Sequence, residues 1–221
     1  MATPYGSSGP ANTQDMTGAI INQHRDTIIG AFASDSYISN QLDIQHEPVY
    51  DSFTIAAGAA LTTLASAFFV NVGSNANKTP AQTSMSSPQR LDAPQSHSVQ
   101  SIKLRWSENI LPADALAVMN GFAFNFQIAT KSFNLAPIWQ YPAGGGIFVP
   151  STTTSGTSWV SNGDLTRAAQ LRLALPIVIG NQLNFQAMLL GTQITLTAAG
   201  SGGTGLTMWC SLDGLHARAV L

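Results

Sequence analysis

The chain reads as an all-β sandwich or barrel, and three observations predict it. Short runs of alternating, β-branched or aromatic residues recur about eight to ten times. The connections between them are rich in Gly, Pro, Ser and Thr. No helical period of about 10–15 residues separates successive runs, so the pattern is not that of βαβ units. The length of 221 residues suits one domain of this kind.

Residues 1–12 are Pro, Gly, Ser and Ala without a period and read as a flexible arm. Over 13–36, Met16, Ile20, Ile21, His24, Ile28, Ala31 and Phe32 recur at three- and four-residue steps, which predicts an amphipathic helix capped by Thr13 or Asp15. Ile20, Ile21, Ile28 and Phe32 are its candidate docking residues, facing its own domain, a neighbouring subunit or a membrane surface. The polar stretch 39–48 ending at Pro48 marks a boundary, giving an arm over 1–47 and a β domain over 48–221.

Val49 to Ile55 alternates as a strand. Phe53 to Val72 carries no charge and is long enough to cross a bilayer if helical. Gly58, the interspersed Thr and Ser residues and the β-branched and aromatic ends favour two strands around a small-residue loop instead. Residues 73–97 form a long polar connection. From Val99 to Trp106, Val99, Ser101, Lys103 and Arg105 fall on one side and Gln100, Ile102, Leu104 and Trp106 on the other, the pattern of a half-buried strand. Pro112 to Met119 reads as a short helix or turn capped by the polar pair before it. Phe122, Phe124, Phe126 and Ile128 share one face of the next strand. Pro137 confines the run Phe133 to Trp139 to an edge or a bulge. Gly144 to Gly146 is a turn before a short strand, Ile147 to Val149, and 150–164 a loop. Gln170 to Leu175 and Leu183 to Leu190 are strands around a turn at Pro176 to Asn181. Gln193 to Thr197 follows. A Gly-rich hinge at 200–205 precedes the final strand, Leu206 to Cys210 continued by His216 to Leu221.

Composition bounds the function. Charged residues are 9% of the chain against about 25% in an ordinary soluble domain, with a normal hydrophobic share of 44% and a net charge of −2. So few charges oppose association weakly, and self-assembly is expected. Residues 1–77 contain one basic residue, Arg25, so direct nucleic-acid binding is not expected. The single cysteine, Cys210, excludes an internal disulfide and reads as a buried small hydrophobe beside Trp209. The first ten residues lack a basic and an apolar region and do not read as a secretory signal, so the chain is made in the cytoplasm or a leader has been removed. The sequon Asn77-Lys78-Thr79 reads as a chance occurrence.

Chemistry is sparse. His24, His46, His97 and His216 stand in no metal-ligand spacing, and only two of the eleven acids are Glu, namely Glu47 and Glu108. The triple glycine is followed by no Lys-Ser/Thr, and no G-x-S-x-G elbow is present. No catalytic residue, cofactor or metal is expected, and the protein reads as a non-enzyme. Trp139, Tyr141 and Trp159 are either subunit-interface or core anchors, the favoured reading, or a sugar-stacking platform.

The strand spacing, the Gly and Pro loops, the helical arm and the C-terminal run Trp209-Cys210-Ser211-Leu212-Asp213-Gly214-Leu215-His216-Ala217-Arg218-Ala219-Val220-Leu221 together resemble viral jelly-roll coat proteins, closest to the single-jelly-roll capsid proteins of icosahedral double-stranded DNA phages. The resemblance covers about residues 48–221. It implies an eight-stranded, two-sheet jelly roll assembled with copies of itself and other virion proteins, the arm reaching neighbours or an internal viral membrane. The missing basic arm departs from the small RNA-virus coat proteins. Three alternatives stay open: a carbohydrate-binding or tail-associated β-sandwich, an outer-membrane barrel, and a jelly-roll enzyme with two ionisable groups converging inside the barrel.

Overall fold

The computed structural model describes residues 42–73, 76–141 and 172–219. The expected helix at 13–36, with Ile20, Ile21, Ile28 and Phe32, lies outside them, as do Gly144 to Gly146, the strand at Ile147 to Val149 and Trp159. The described residues form antiparallel sheets with one α-helix. In chain order the elements are β1 (Leu42–His46), β2 (Val49–Ile55), β3 (Ala60–Leu61), β4 (Leu64–Phe68), β5 (Ser96–Trp106), α1 (Pro112–Gly121), β6 (Phe122–Ile128), β7 (Lys131–Pro137), β8 (Arg172–Ile179), β9 (Phe185–Gly191), β10 (Ile194–Thr195) and β11 (Leu206–Ala219).

One sheet is ordered β1-β11-β5-β8, with β2 also pairing along β11; the other is ordered β4-β9-β6-β7, and β10 pairs with β3 in a small ribbon. The pairings are nested: β2 with β11, β4 with β9, β5 with β8 and β6 with β7. From β2 to β11, leaving out the β3–β10 ribbon, the chain therefore behaves as one long hairpin whose arms fold back so that successive strands enter opposite sheets, except at the β6–β7 turn.

Period-2 side chains fill the space between the sheets. Phe122, Phe124, Phe126 and Ile128 of β6 and Phe185, Ala187 and Leu189 of β9 are buried against Ile102, Leu104 and Trp106 of β5 and Met208, Cys210 and Leu212 of β11. Aromatic pairs lock this core, with ring centroids 4.9 Å apart for Phe53–Phe68 and for Phe124–Tyr141, and 5.2 Å for Phe69–Phe185. The uncharged segment Phe53 to Val72 is not one helix: it holds the end of β2, the two-residue β3 within the small-residue stretch, and β4, which stops at Phe68, short of the expected Val72, and no helix among the described residues is long and apolar enough to cross a membrane.

Several boundaries differ from the sequence reading. Leu42–His46, part of the polar stretch before Pro48, is a strand paired with β11 from Leu42↔Ala219 to His46↔Leu215, so the sandwich begins before residue 48. The clean alternation of β5 breaks near Gln100, where the register slips opposite Asp213/Gly214 and places Val99 on the buried side with Ile102. Gly214 is required there, because a Cβ would stand 1.8 Å from the Ser98 carbonyl oxygen. Pro137 closes β7, an edge strand, as expected, whereas β8 runs straight through Pro176 and does not turn. That edge strand tolerates the proline because its ladder with β5 is interrupted between the Ile177–Ile179 pairs and Arg172. The helix α1 has Leu111 at its cap with no side-chain bond, in place of the expected polar cap, and Pro112 sits in its first turn, where no N–H is needed. Asp114, also in that turn, instead accepts bonds from the Thr197 amide (3.1 Å) and hydroxyl (2.9 Å), tying α1 to the segment after β10.

Candidate assembly surface and buried polar sites

The two sheets differ in charge. The strands β1, β2, β5, β8 and β11 carry Asp43, Asp51, Lys103, Arg105, Arg172, Asp213 and Arg218. The strands β4, β9, β6 and β7 carry only Lys131. All four ion pairs among the described residues have a member on the first sheet: Lys78–Asp51, Lys103–Asp213, Arg105–Glu108 and Arg218–Asp43.

The second sheet and its flank instead expose large apolar side chains. Leu135 (59% exposed) and Phe133 stand on β7, Trp139 (56% exposed) on the 3-10 turn Ile138–Gln140 that follows, and Leu116 on α1, which packs against that turn. Leu175, on the edge strand β8 of the other sheet, is also exposed. The Lys131 ammonium lies 5.0 Å from the Phe133 ring centroid, the one cation on this strand. Clusters of exposed apolar groups at the edge of a sheet are the usual mark of a covered surface.

Of the aromatic residues singled out from the sequence, Trp139 lies on this surface. Tyr141, two residues on, does not. It is fully buried against Phe124, and burial pushes its phenol up to about 12, with Cys210 adding to the effect. Of the two anchor roles read from the sequence, Tyr141 takes the core one and not the interface one: the 3-10 turn Ile138–Gln140 ends at Tyr141, so the Trp139 ring is exposed and the Tyr141 ring enters the core. A stacking platform built on Trp139 and Tyr141 together is removed for the same reason.

Two buried polar sites have no counterpart in the sequence reading. Asp51 on β2 is completely buried; its carboxylate accepts from the Phe69 amide at 2.7 Å and pairs with the Lys78 ammonium at 2.7 Å. Lys78 also donates to the Ser52 carbonyl. These bonds hold Phe69 at φ +68°, a conformation strained for a bulky residue, and send its ring into the core. Lys78, the middle residue of the sequon, has a structural role through these two bonds.

His97 on β5 and His216 on β11 face each other in register, with ring centroids 5.7 Å apart. His97 bonds the Leu212 carbonyl oxygen at 3.0 Å through Nε2, and Nδ1 of both rings has no hydrogen-bond partner. Burial, with His216 beside it, lowers His97 to about 4, against the opposing pull of the Leu212 carbonyl and Asp213. Burial also lowers His216, opposed by Glu47 and assisted by Arg218. Both rings are therefore neutral in the fold at neutral pH. The cleft beside His216, lined also by Glu47, Arg90 and Asp92, is about 130 Å³, below the several hundred of ordinary ligand pockets. Among the described residues no group of three or more His, Cys, Asp or Glu is placed to hold a metal ion. Cys210 is buried and uncharged, its thiol pushed well above its ordinary value by burial.

Comparison with protein-family models, with curated proteins and with solved structures finds no match for the chain.

Proposed function

We propose that the protein is a virion shell subunit: a single jelly roll that assembles with copies of itself and with other virion proteins, its neutral sheet and the apolar flank beside it forming subunit contacts. The nested pairings support the jelly-roll reading, since a hairpin of eight strands, β2 to β11 without the short β3–β10 ribbon, rolled into two four-stranded layers has this order. The observation that carries the functional reading is the segregation of charge. A sheet with one ionisable side chain, flanked by exposed Leu135, Trp139, Phe133 and Leu116, can be covered by another subunit without stripping water from ions. Fold alone does not give function, and jelly rolls also serve as sugar-binding domains. The burial of Tyr141 disfavours the aromatic-platform version of that alternative.

The test is a pair of charge insertions on the exposed flank. Leu135→Asp and Trp139→Asp should each reduce the mass of the assembled species in light scattering by at least about tenfold, the result of placing an unpaired carboxylate in a dry contact. Their circular dichroism and unfolding temperature should match the parent. Unchanged assembly in both variants removes this surface from the contacts.

A further inference from the structure

At the end of the sandwich opposite α1 and Trp139, three connections meet around a cleft of about 520 Å³: the segment before β5, the β6–β7 turn and the β8–β9 turn. Its volume falls within the range of about 300–1,000 Å³ typical of ligand sites. Among the described residues its lining holds no ionisable side chain. Half of its lining residues carry a carboxamide, Gln89, Gln182, Asn184 and Gln186; the Thr130 hydroxyl stands beside them, and most of the lining surface is apolar, with Leu183 and Phe185 in its wall.

The cleft is preorganised. Gln89 Nε2 donates to Gln186 Oε1 at 3.0 Å, and Gln186 Nε2 donates to Gln127 Oε1 at 3.0 Å, which fixes the amide planes. Backbone bonds of 2.7 Å from Phe185 N to the Gln89 carbonyl and from Ala129 N to the Asn184 carbonyl clamp the three connections to one another. Each connection also holds a non-glycine residue in the left-handed region: Gln89 at φ +60°, Ala129 at +51° and Gln182 at +54°. Residues kept in that region where glycine would be easier concentrate at ligand clamps and similar sites.

We propose that this cleft binds a neutral glycan. A carboxamide carries both donors and acceptors, and a sugar hydroxyl does too, so adjacent amides match adjacent hydroxyls. Leu183 offers an apolar surface to the C–H face of a pyranose. A phosphate or nucleic acid finds no cation in the lining. A peptide cannot add as a strand, because β6 and β9 at the cleft are interior strands with their backbones already paired. Glycan binding here does not depend on whether the chain forms a shell, and Trp139, at the other end, has no part in it.

The full-length protein, in its native assembly state, is applied to an array of immobilised neutral, sialylated and sulfated oligosaccharides, and its best neutral ligand is titrated calorimetrically against two variants. Gln182→Gly removes a carboxamide and relieves the strained φ, so the fold is kept; Asn184→Ala removes a second amide while its backbone carbonyl still clamps Ala129. At least one neutral oligosaccharide should be retained, each variant should weaken it by about tenfold, and Gln182→Gly should unfold at the same or a higher temperature. Retention of acidic glycans only, of none at all, or full affinity in both variants overturns the proposal.

Discussion

The two sheets are built from the same inward pattern of apolar residues and finished on opposite principles. The sheet of β1, β2, β11, β5 and β8 keeps its charges and neutralises them internally, with Asp51 buried against Lys78 and Lys103 against Asp213. The sheet of β4, β9, β6 and β7 carries a single charge, Lys131, and sets Gln127, Gln186 and Asn125 among apolar neighbours. Ions that are paired within a subunit stabilise that subunit; neutral amides and exposed leucine leave the surface cheap to dehydrate. The low charge of the chain is thus localised to one layer, and that layer is where contacts with other molecules are to be sought.

Removal of the buried acid of the charged sheet should have the greatest consequence for stability. Asp51→Ala strands the Lys78 ammonium and frees the Phe69 amide, and should cost about 3–5 kcal/mol of unfolding free energy in urea titration. A loss near that of a surface pair would mean Lys78 escapes to water, and that the charged sheet is not internally compensated.

Acid should also act through the charged sheet, where the histidine pair lies. His97 falls from 6.5 when exposed to about 4 when folded, which corresponds to about 3 kcal/mol. The unfolded chain takes up the proton first, so this contribution is fully present above pH 6.5 and is lost as the pH falls from 6.5 towards 4, with lowered His216 adding to it. The groups that face His97 are His216, Asp213, His46 and the Leu212 carbonyl. Unfolding temperature measured from pH 7 to pH 4 should decline, and the decline should be shallower in His97→Gln. An equal slope in the variant assigns the acid sensitivity elsewhere.

How much of this was visible in the sequence depends on whether the information is local. The face shared by Phe122, Phe124, Phe126 and Ile128, and that shared by Ile102, Leu104 and Trp106, are period-2 patterns and appear in the fold as read. Cys210 was legible as core for the same reason. Long-range pairing was not. Leu42–His46 is polar enough to pass for a linker, and becomes a strand only because β11 extends far enough to pair with it. His97 and His216 are distant in sequence and meet through the β5–β11 register, which no spacing rule encodes. The bulge near Gln100 reverses an alternation that looked unambiguous, and its one local sign is Gly214 on the partner strand. Trp139 and Tyr141 are separated by one residue and a turn of 3-10 helix, so composition alone could not tell the exposed ring from the buried one. The amide cleft was missed because its residues come from three connections and none is an unusual type.

The smallest expected effect lies on the surface of the charged sheet. Arg105 and Glu108 pair at 3.4 Å with both side chains more than half exposed, so Glu108→Ala should change stability by about 0–1 kcal/mol and leave assembly intact. A clear loss of assembly in Glu108→Ala would move the subunit contacts from the neutral sheet to the charged one.

The proposal of a shell subunit held by neutral contacts is tested by the mass and image of the purified chain at micromolar concentration in moderate salt, by light scattering and electron microscopy. Closed particles or their ring-shaped precursors are expected, with little dependence on added salt because the proposed contacts are uncharged. A monodisperse monomer that stays soluble at high concentration contradicts it.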